Sequence, residues 1–195
     1  CFDIGITVQS ALSRFSQNGD AHASGDTAER SSGNGSIMRL APMPIRYANL
    51  LHKEVDELAR LAVESSIPTH ASPQCLSACR YFSVVLAGLI NGHERAEVLA
   101  SDWPPIVEIQ RSEPFHPAIA EIASGSFRQK QPPEIQGSGY VVRSLEAALW
   151  AFHAAGDFEE AVLRAVNLGD DADTTGAVCG QLAGACWGES GIPEK

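Results

Sequence analysis

Residues 167–188 read NLGDDADTTGAVCGQLAGACWG, and the two halves of this stretch decide the fold class. In the second half, Gly176, Gly180, Gly184 and Gly188 recur every four residues. On a helix that spacing lines them along one face. Glycine costs a helix about 1 kcal/mol relative to alanine, so four on one face need a packing reason. The expected reason is close approach by a neighbouring helix, as at small-residue interfaces. A membrane-spanning reading fails on length and on the flanking acidic residues. The segment is therefore predicted to be a buried, central helix of an all-α domain.

The first half, Gly169-Asp170-Asp171-Ala172-Asp173-Thr174-Thr175-Gly176, sits at the start of that helix. Three carboxylates within four residues repel one another unless positive charge lies among them. A helix N-terminus supplies part of it, about 0.3–1 kcal/mol per charge, and Asp173 is a possible cap. Alternatively, Asp171 and Asp173 converge on one cation from a turn, with threonine hydroxyls beside them. Hard oxygens of this kind suit Mg²⁺, Mn²⁺ or Ca²⁺ rather than Zn²⁺. An EF-hand is excluded, because its twelfth position would be Leu182 where a bidentate Glu belongs.

Working outward, helical patterns dominate. Val55, Leu58, Ala59, Ala62 and Val63 form one apolar stripe that ends before Pro68. Ser72-Pro73 reads as an N-cap followed by Pro at the first helical position. The helix it opens is predicted to run to about Ile90, where Asn91-Gly92 stops it. Asp157 and Glu160 form a capping box for a helix that ends near Gly169. Prolines between Pro104 and Pro133 predict short helices and loops. No alternating run of strand formers occurs, and Tyr140–Val142 is too brief for a sheet. One compact, orthogonal multi-helix domain over residues 1–195 is expected.

Composition narrows the function. The chain has 195 residues, 44% hydrophobic and 19% charged, enough for one core. Fourteen Lys and Arg stand against 24 Asp and Glu, a net charge of −10. A phosphate-tracking surface is a poor match, so no nucleic-acid partner is expected. The apolar run Val84–Ile90 is far short of the ~20 residues a bilayer span needs, and no signal peptide is expected. Five cysteines (1, 75, 79, 179 and 186) are read as free thiols in a reducing, cytoplasmic compartment. Cys75 and Cys79 lack the partners of a zinc site.

Two further segments carry polar chemistry. Ser32-Gly33-Asn34-Gly35-Ser36-Ile37-Met38-Arg39 pairs glycines with Asn and Ser, so backbone N–H groups are free to face an anion, with Arg39 adding charge. A plain surface turn is the competing reading. His70, in Pro68-Thr69-His70-Ala71-Ser72-Pro73, precedes a helix N-terminus where a phosphate is favoured. His22, His52, His93, His116 and His153 show no paired spacing and receive no role.

Taken together and in this order, FDIG with ALSRF, GNGSIMRLAP, PTHASP, GYVVRSLEAALWAF and NLGDDADTTGAVCGQLAGACWG resemble the ADP-ribosylglycohydrolase family, which includes the dinitrogenase reductase-activating glycohydrolases. The resemblance implies an all-α fold and a metal-dependent hydrolase. Such enzymes use two Mg²⁺ or Mn²⁺ ions to cleave the glycosidic bond between ADP-ribose and a protein side chain. It implies that Asp171, Asp173 and Thr174 are metal ligands, with Asp171 and Asp173 catalytic through the ions they hold. It implies that Gly33, Asn34, Gly35 and Ser36 cradle ADP-ribose, that Met38 and Arg39 belong to the same binding motif, and that His70 faces its phosphates. The expected partner is an ADP-ribosylated protein or an ADP-ribose-like small molecule, with no membrane partner.

The chain departs from the family pattern in one respect. The family's other metal ligands come from an amino-terminal Thr-Asp-Asp segment and an early Gly-Asp-Ala-rich helix, and no Thr-Asp-Asp occurs among these residues. The opening at Cys1 and the ending at GIPEK read as cuts through a longer domain, with amino-terminal helices missing. Half of a dinuclear ligand set predicts reduced or absent turnover. A non-catalytic ADP-ribose-binding module is the alternative.

Overall fold

Ser72 starts the helix around which the others are arranged. In the computed structural model, which describes residues 4–194, the Ser72 hydroxyl accepts the N–H of Cys75 and Pro73 takes the first helical position. The chain is introduced in order as α1 (Ile6–Asn18), α2 (Gly35–Met38), α3 (Pro42–Tyr47), α4 (Val55–Ser66), α5 (Pro73–Ile90) and α6 (Arg95–Val98). There follow α7 (Pro104–Ser112), α8 (Pro117–Ala123), α9 (Val141–Ala154), α10 (Phe158–Val166) and α11 (Ala172–Trp187). Among the described residues, three single 3₁₀ turns lie between helices and a fourth, Glu189–Gly191, follows α11. Among the described residues there is no sheet. Two isolated bridges occur, Asp26 with His70 and Gly33 with Tyr140.

The all-α expectation holds. α5 stops at Asn91, and Gly92 takes φ +82°. Tyr81, Phe82 and Leu86 of α5 are fully buried, and the helix meets α2, α3, α4, α9 and α11. By length and composition α5 could cross a bilayer, but most of it is enclosed by the other helices. Of the predicted α4 stripe, Val55, Leu58, Ala59 and Ala62 are buried in the contact with α5, while Val63 is half-buried. At α10 the Asp157 carboxylate accepts the Glu160 N–H at 2.8 Å, and Glu160 accepts the N–H of Gly156 at 2.8 Å. The proline-broken stretch forms α7 and α8, as the sequence predicts. Cys75, Cys79 and Cys179 are buried free thiols, and burial pushes Cys79 up to about 11. Cys1, Phe2 and Asp3 lie outside the described residues.

The glycine face of α11 needs correction. α9 and α10 do pack on this helix. Only Gly176 meets a close neighbour: a methyl there would sit 2.7 Å from a Val166 methyl. At Gly180 and Gly184 a methyl would meet nothing within 4 Å. There the helix borders a groove of about 300 Å³ lined by Pro44, Ile45, Leu86 and Ile90. The groove separates Gly180 and Gly184 from α3 and α5, so the close approach covers one turn and not the whole face.

Candidate active site

The acidic turn is built by two left-handed residues. Gly169 has φ +74° and Asp170 φ +55°, an uncommon conformation for a residue with a Cβ. The reversal separates the carboxylates. Asp170 lines a hollow beside Pro133 and Leu168, whereas Asp171, Asp173 and Thr174 line one wall of a cleft of about 470 Å³. The three acids of the sequence thus become two at the site.

Capping does not explain Asp171. It occupies the N-cap position of α11, yet its side chain makes no capping bond. The Asn34 side-chain amide instead donates to Asp171 Oδ2 at 2.6 Å, and Thr174 Oγ1 donates to Oδ1 at 3.3 Å. Asp173 Oδ1 accepts the N–H of Thr174 at 2.9 Å. Two carboxylates and a hydroxyl from one turn are therefore held side by side by short internal bonds.

The facing wall is the glycine-rich loop. Asn34 N–H donates to Gly139 O at 3.0 Å, and Val141 N–H donates to Ser32 O at 2.9 Å, so the loop is pinned to the entry of α9. Farther along α11, Gln181 Nε2 donates to Ile37 O at 2.9 Å and Met38 O at 3.0 Å, closing the end of α2. His70 packs under the loop with 2% of its surface exposed. A methyl at Gly35 would lie 2.9 Å from His70 Cε1, and one at Gly33 3.4 Å from Nε2. Glycine is needed at position 35, where the ring fills the space a side chain would take, whereas a methyl at Gly33 would make ordinary contact with it.

Burial first, and the Arg39 charge second, lower the His70 pKa to about 4. The ring is thus neutral at pH 7. Its Nδ1 lies 2.8 Å from Thr69 Oγ1, which accepts a hydrogen bond from Arg39 at 2.7 Å. Arg39 also donates to Ser65 O at 2.9 Å. The residues singled out from sequence therefore separate. Gly33, Asn34, Gly35, Met38, His70, Asp171, Asp173 and Thr174 line the cleft. Arg39 stands behind His70, and Ser36 is buried with its hydroxyl beside the Cys75 and Cys79 thiols.

Residues without a sequence-level role complete the walls. Thr7 and Val8 of α1 reach into the cleft. A second hollow of about 560 Å³ adjoins it through Thr7, Gly33 and Gly139, and adds Glu29, Arg30, Gln74 and Tyr140. Gln74 is 7% exposed, and its Oε1 has no hydrogen-bond partner. Sequence reasoning missed it; its place just after the Ser72-Pro73 cap, at a helix N-terminus four residues after His70, is the signal that could have found it. Thr7 and Tyr140 gave no such signal, since each is a single residue brought in by tertiary packing.

The donor set has the right kind of atoms for a hard divalent cation but not the full number. Mg²⁺ takes six oxygens, and this turn offers three side chains. Among the described residues, no group of three or more His, Cys, Asp or Glu side chains gathers around one point.

Comparison with known proteins adds an independent line. The family model for ADP-ribosylglycohydrolase matches residues 1–195. The chain is 36% identical over 194 residues to an ADP-ribosylarginine hydrolase Tri1 of Serratia proteamaculans (strain 568), covering 100% of this chain and 49% of that protein. It is 28% identical over 191 residues to the ADP-ribosyl-[dinitrogen reductase] glycohydrolase of Rhodospirillum rubrum, covering 98% of this chain and 58% of that protein. A solved structure described as an ADP-ribosylglycohydrolase-related protein complex superposes with TM-score 0.81 at 39% identity, over 97% of this chain and 61% of that one. The chain thus spans about half the length of the curated relatives it matches.

Proposed function

The chain belongs to the ADP-ribosylglycohydrolase family, and from that premise we propose that it forms the ADP-ribose-binding part, with one side of the metal site, of a hydrolase that removes ADP-ribose from modified arginine. The observation that carries this reading is the pairing of two unlike walls across one cleft. Asp171, Asp173 and Thr174 stand on one side, and Gly33, Gly35 and the neutral His70 on the other.

Asp171, Asp173 and Thr174 would hold Mg²⁺ or Mn²⁺, leaving at least three positions for ligands from elsewhere. When bound there, the ion would supply positive charge to orient the sugar hydroxyls and a water and to offset charge developing at the anomeric carbon. Asn34 fixes the Asp171 carboxylate at the cleft wall through its 2.6 Å hydrogen bond to Oδ2. We assign the Thr69 hydroxyl hydrogen to His70 Nδ1, the tautomer that leaves Nε2 protonated for an anion, with Arg39 donating to the same hydroxyl oxygen. The ring proton then sits on Nε2, where it donates to a diphosphate oxygen. Gly33 and Gly35 let the diphosphate approach the backbone. The adjoining hollow takes the far end of the ligand, with the free Gln74 Oε1 accepting an N–H and the Tyr140 ring lying alongside.

A binding module without turnover is the second reading, and the count of three donor side chains favours it. Calorimetric titration with ADP-ribose, with and without Mg²⁺ or Mn²⁺, and hydrolysis of ADP-ribosyl-arginine separate the two. Binding strengthened by metal, with little or no turnover by this chain alone, is the expected result. Metal-independent binding without hydrolysis makes the chain a binding module. Failure to bind ADP-ribose at all overturns both.

A further inference from the structure

The histidines left without a role by sequence spacing include two that the fold brings together. His52 follows the 3₁₀ turn Ala48–Leu50, and His93 follows α5. They are 41 residues apart in sequence, yet their Nε2 atoms lie 3.2 Å apart. The two loops are tied by backbone capture, since the Asn91 side-chain amide donates to Ala48 O at 2.9 Å and to Ala87 O at 2.7 Å. The His93 ring is further fixed edge-on against Trp103, with centroids 5.5 Å apart at 67°. None of these residues lines the ADP-ribose cleft.

We propose that His52 and His93 form a surface site for a borderline divalent metal ion of the zinc class (Zn²⁺, Ni²⁺ or Cu²⁺), with Glu97 as the positioning residue for His93.

Two geometric facts support this. First, two nitrogens bound at ~2.0–2.1 Å to one tetrahedral ion stand about 3.3 Å apart, with ring centroids about 5.2 Å apart when both rings aim at the ion. The observed separations are 3.2 Å and 5.1 Å, with the ring planes tilted by 50°. A straight N–H···N hydrogen bond of that length would place the centroids about 5.5 Å apart. The observed centroid separation is closer to the value for two rings sharing one ion than to that for a straight hydrogen bond. Second, Glu97 Oε1 lies 3.1 Å from His93 Nδ1. A carboxylate accepts only, so Nδ1 carries the ring proton and Nε2 presents its lone pair outward. This is the carboxylate–histidine arrangement that orients metal-bound imidazoles and raises their basicity.

The chemistry of the donors sets the ion class. Two imidazoles suit Zn²⁺, Ni²⁺ and Cu²⁺ and discriminate against Mg²⁺, which prefers oxygen. Only two protein ligands are present, so the remaining positions belong to water or to a donor from another molecule. His52 is exposed, which leaves that side open to such a donor. The net charge of −10 favours cation capture in general. Without a metal, His52 Nε2–H donates to the His93 Nε2 lone pair; on metal binding that proton leaves Nε2 and His52 takes the Nδ1–H tautomer, so both Nε2 lone pairs face the ion.

The test is titration of the intact chain with ZnCl₂ in a non-chelating buffer at pH 7.5, read by calorimetry and by the imidazole resonances of its six histidines. Zn²⁺ is expected to move the resonances of His52 and His93. H52A should weaken that binding at least about tenfold, E97Q should weaken it by about ten- to a hundredfold through loss of orientation, and D171N should leave it unchanged. Mg²⁺ at the same concentration should not move the two resonances. Because His52 is exposed, H52A is the deciding variant, and its far-UV spectrum should match the parent. Wild-type Zn²⁺ affinity in H52A, movement of other histidines in place of these two, or no Zn²⁺ response at millimolar concentration would each overturn the proposal. The test does not depend on the ADP-ribose reading, since D171N separates the two sites.

Discussion

Two glycine-rich segments meet at the cleft, and the absence of a side chain means different things in them. In the loop Gly33–Gly35, a buried imidazole occupies the volume that a side chain at Gly35 would fill, 2.9 Å from where its methyl would lie. In α11, glycines of strict four-residue spacing share one face, yet at Gly180 and Gly184 nothing stands within 4 Å. Regular spacing is a property of the chain; close approach is a property of what packs opposite. The loop glycines line the cleft over a filled space, whereas the later α11 glycines border an open groove and are local weak points of a helix. Asn34 and Asp171 join the two segments by a 2.6 Å bond, so the comparison can be attacked at that joint first.

The largest effect should come from D171N. It removes a charged donor from a set of three side chains, and Mn²⁺-dependent ADP-ribose affinity should fall by more than about a hundredfold. N34A leaves the carboxylate but frees its orientation, and a loss of about ten- to a hundredfold is expected, as for other outer partners of metal ligands. Calorimetry with Mn²⁺ and ADP-ribose reads both. Equal losses in the two variants would make Asn34 a direct contributor; no loss in N34A would cut the link between the segments.

His70 gives a test of the loop by pH. Its folded pKa is held near 4, against an ordinary 6.5. The unfolded chain therefore binds this proton more readily than the folded one, and between pH 6.5 and 4 stability falls as pH falls. A shift of that size corresponds to at most about 3 kcal/mol. Denaturant titrations at pH 7 and pH 4.5 should show this loss, and H70Q should remove most of the pH-dependent part. Next, G35A forces the ring or the loop to move, at a cost of about 1–3 kcal/mol. Thermal unfolding measures that cost, and ADP-ribose affinity should fall with it. An unchanged affinity in G35A would show that the ring position is not part of the binding surface.

Much of the helical frame was legible because its signals are local. Ser72-Pro73, the Asp157–Glu160 box, the α4 stripe and the Asn91-Gly92 stop each depend on neighbours within a turn or two. The identity of the cleft-lining acids was legible in part. Asp170, Asp171 and Asp173 are indistinguishable by charge; left-handed backbone at Gly169 and Asp170 is what turns one away. Arg39 reads as a charge for an anion, yet it is spent on Thr69 and Ser65, a partnership across 26 and 30 residues that no spacing encodes. The His52–His93 pair and the entry of Thr7 and Tyr140 are of the same kind. Each is a single side chain whose partner is chosen by packing.

The smallest effect decides the comparison most cleanly, because it changes sign along one helix. Alanine is favoured over glycine in a helix by about 1 kcal/mol, partly through the unfolded chain. At Gly180 and Gly184 a methyl enters open space beside the apolar groove, so G180A and G184A should each stabilise the chain by about 0.5–1 kcal/mol. At Gly176 the same methyl would stand 2.7 Å from a Val166 methyl. Valine is stiff at χ1 and yields little, so overpacking of about 1–3 kcal/mol exceeds the helical gain, and G176A should destabilise by about 1 kcal/mol. Chemical denaturation of the three variants measures the sign directly. If all three destabilise, a neighbour covers the entire glycine face in solution and the groove beside Pro44 and Ile90 is closed; if only G176A does, the close packing of α11 is confined to its first turns, next to the carboxylates that it holds in place.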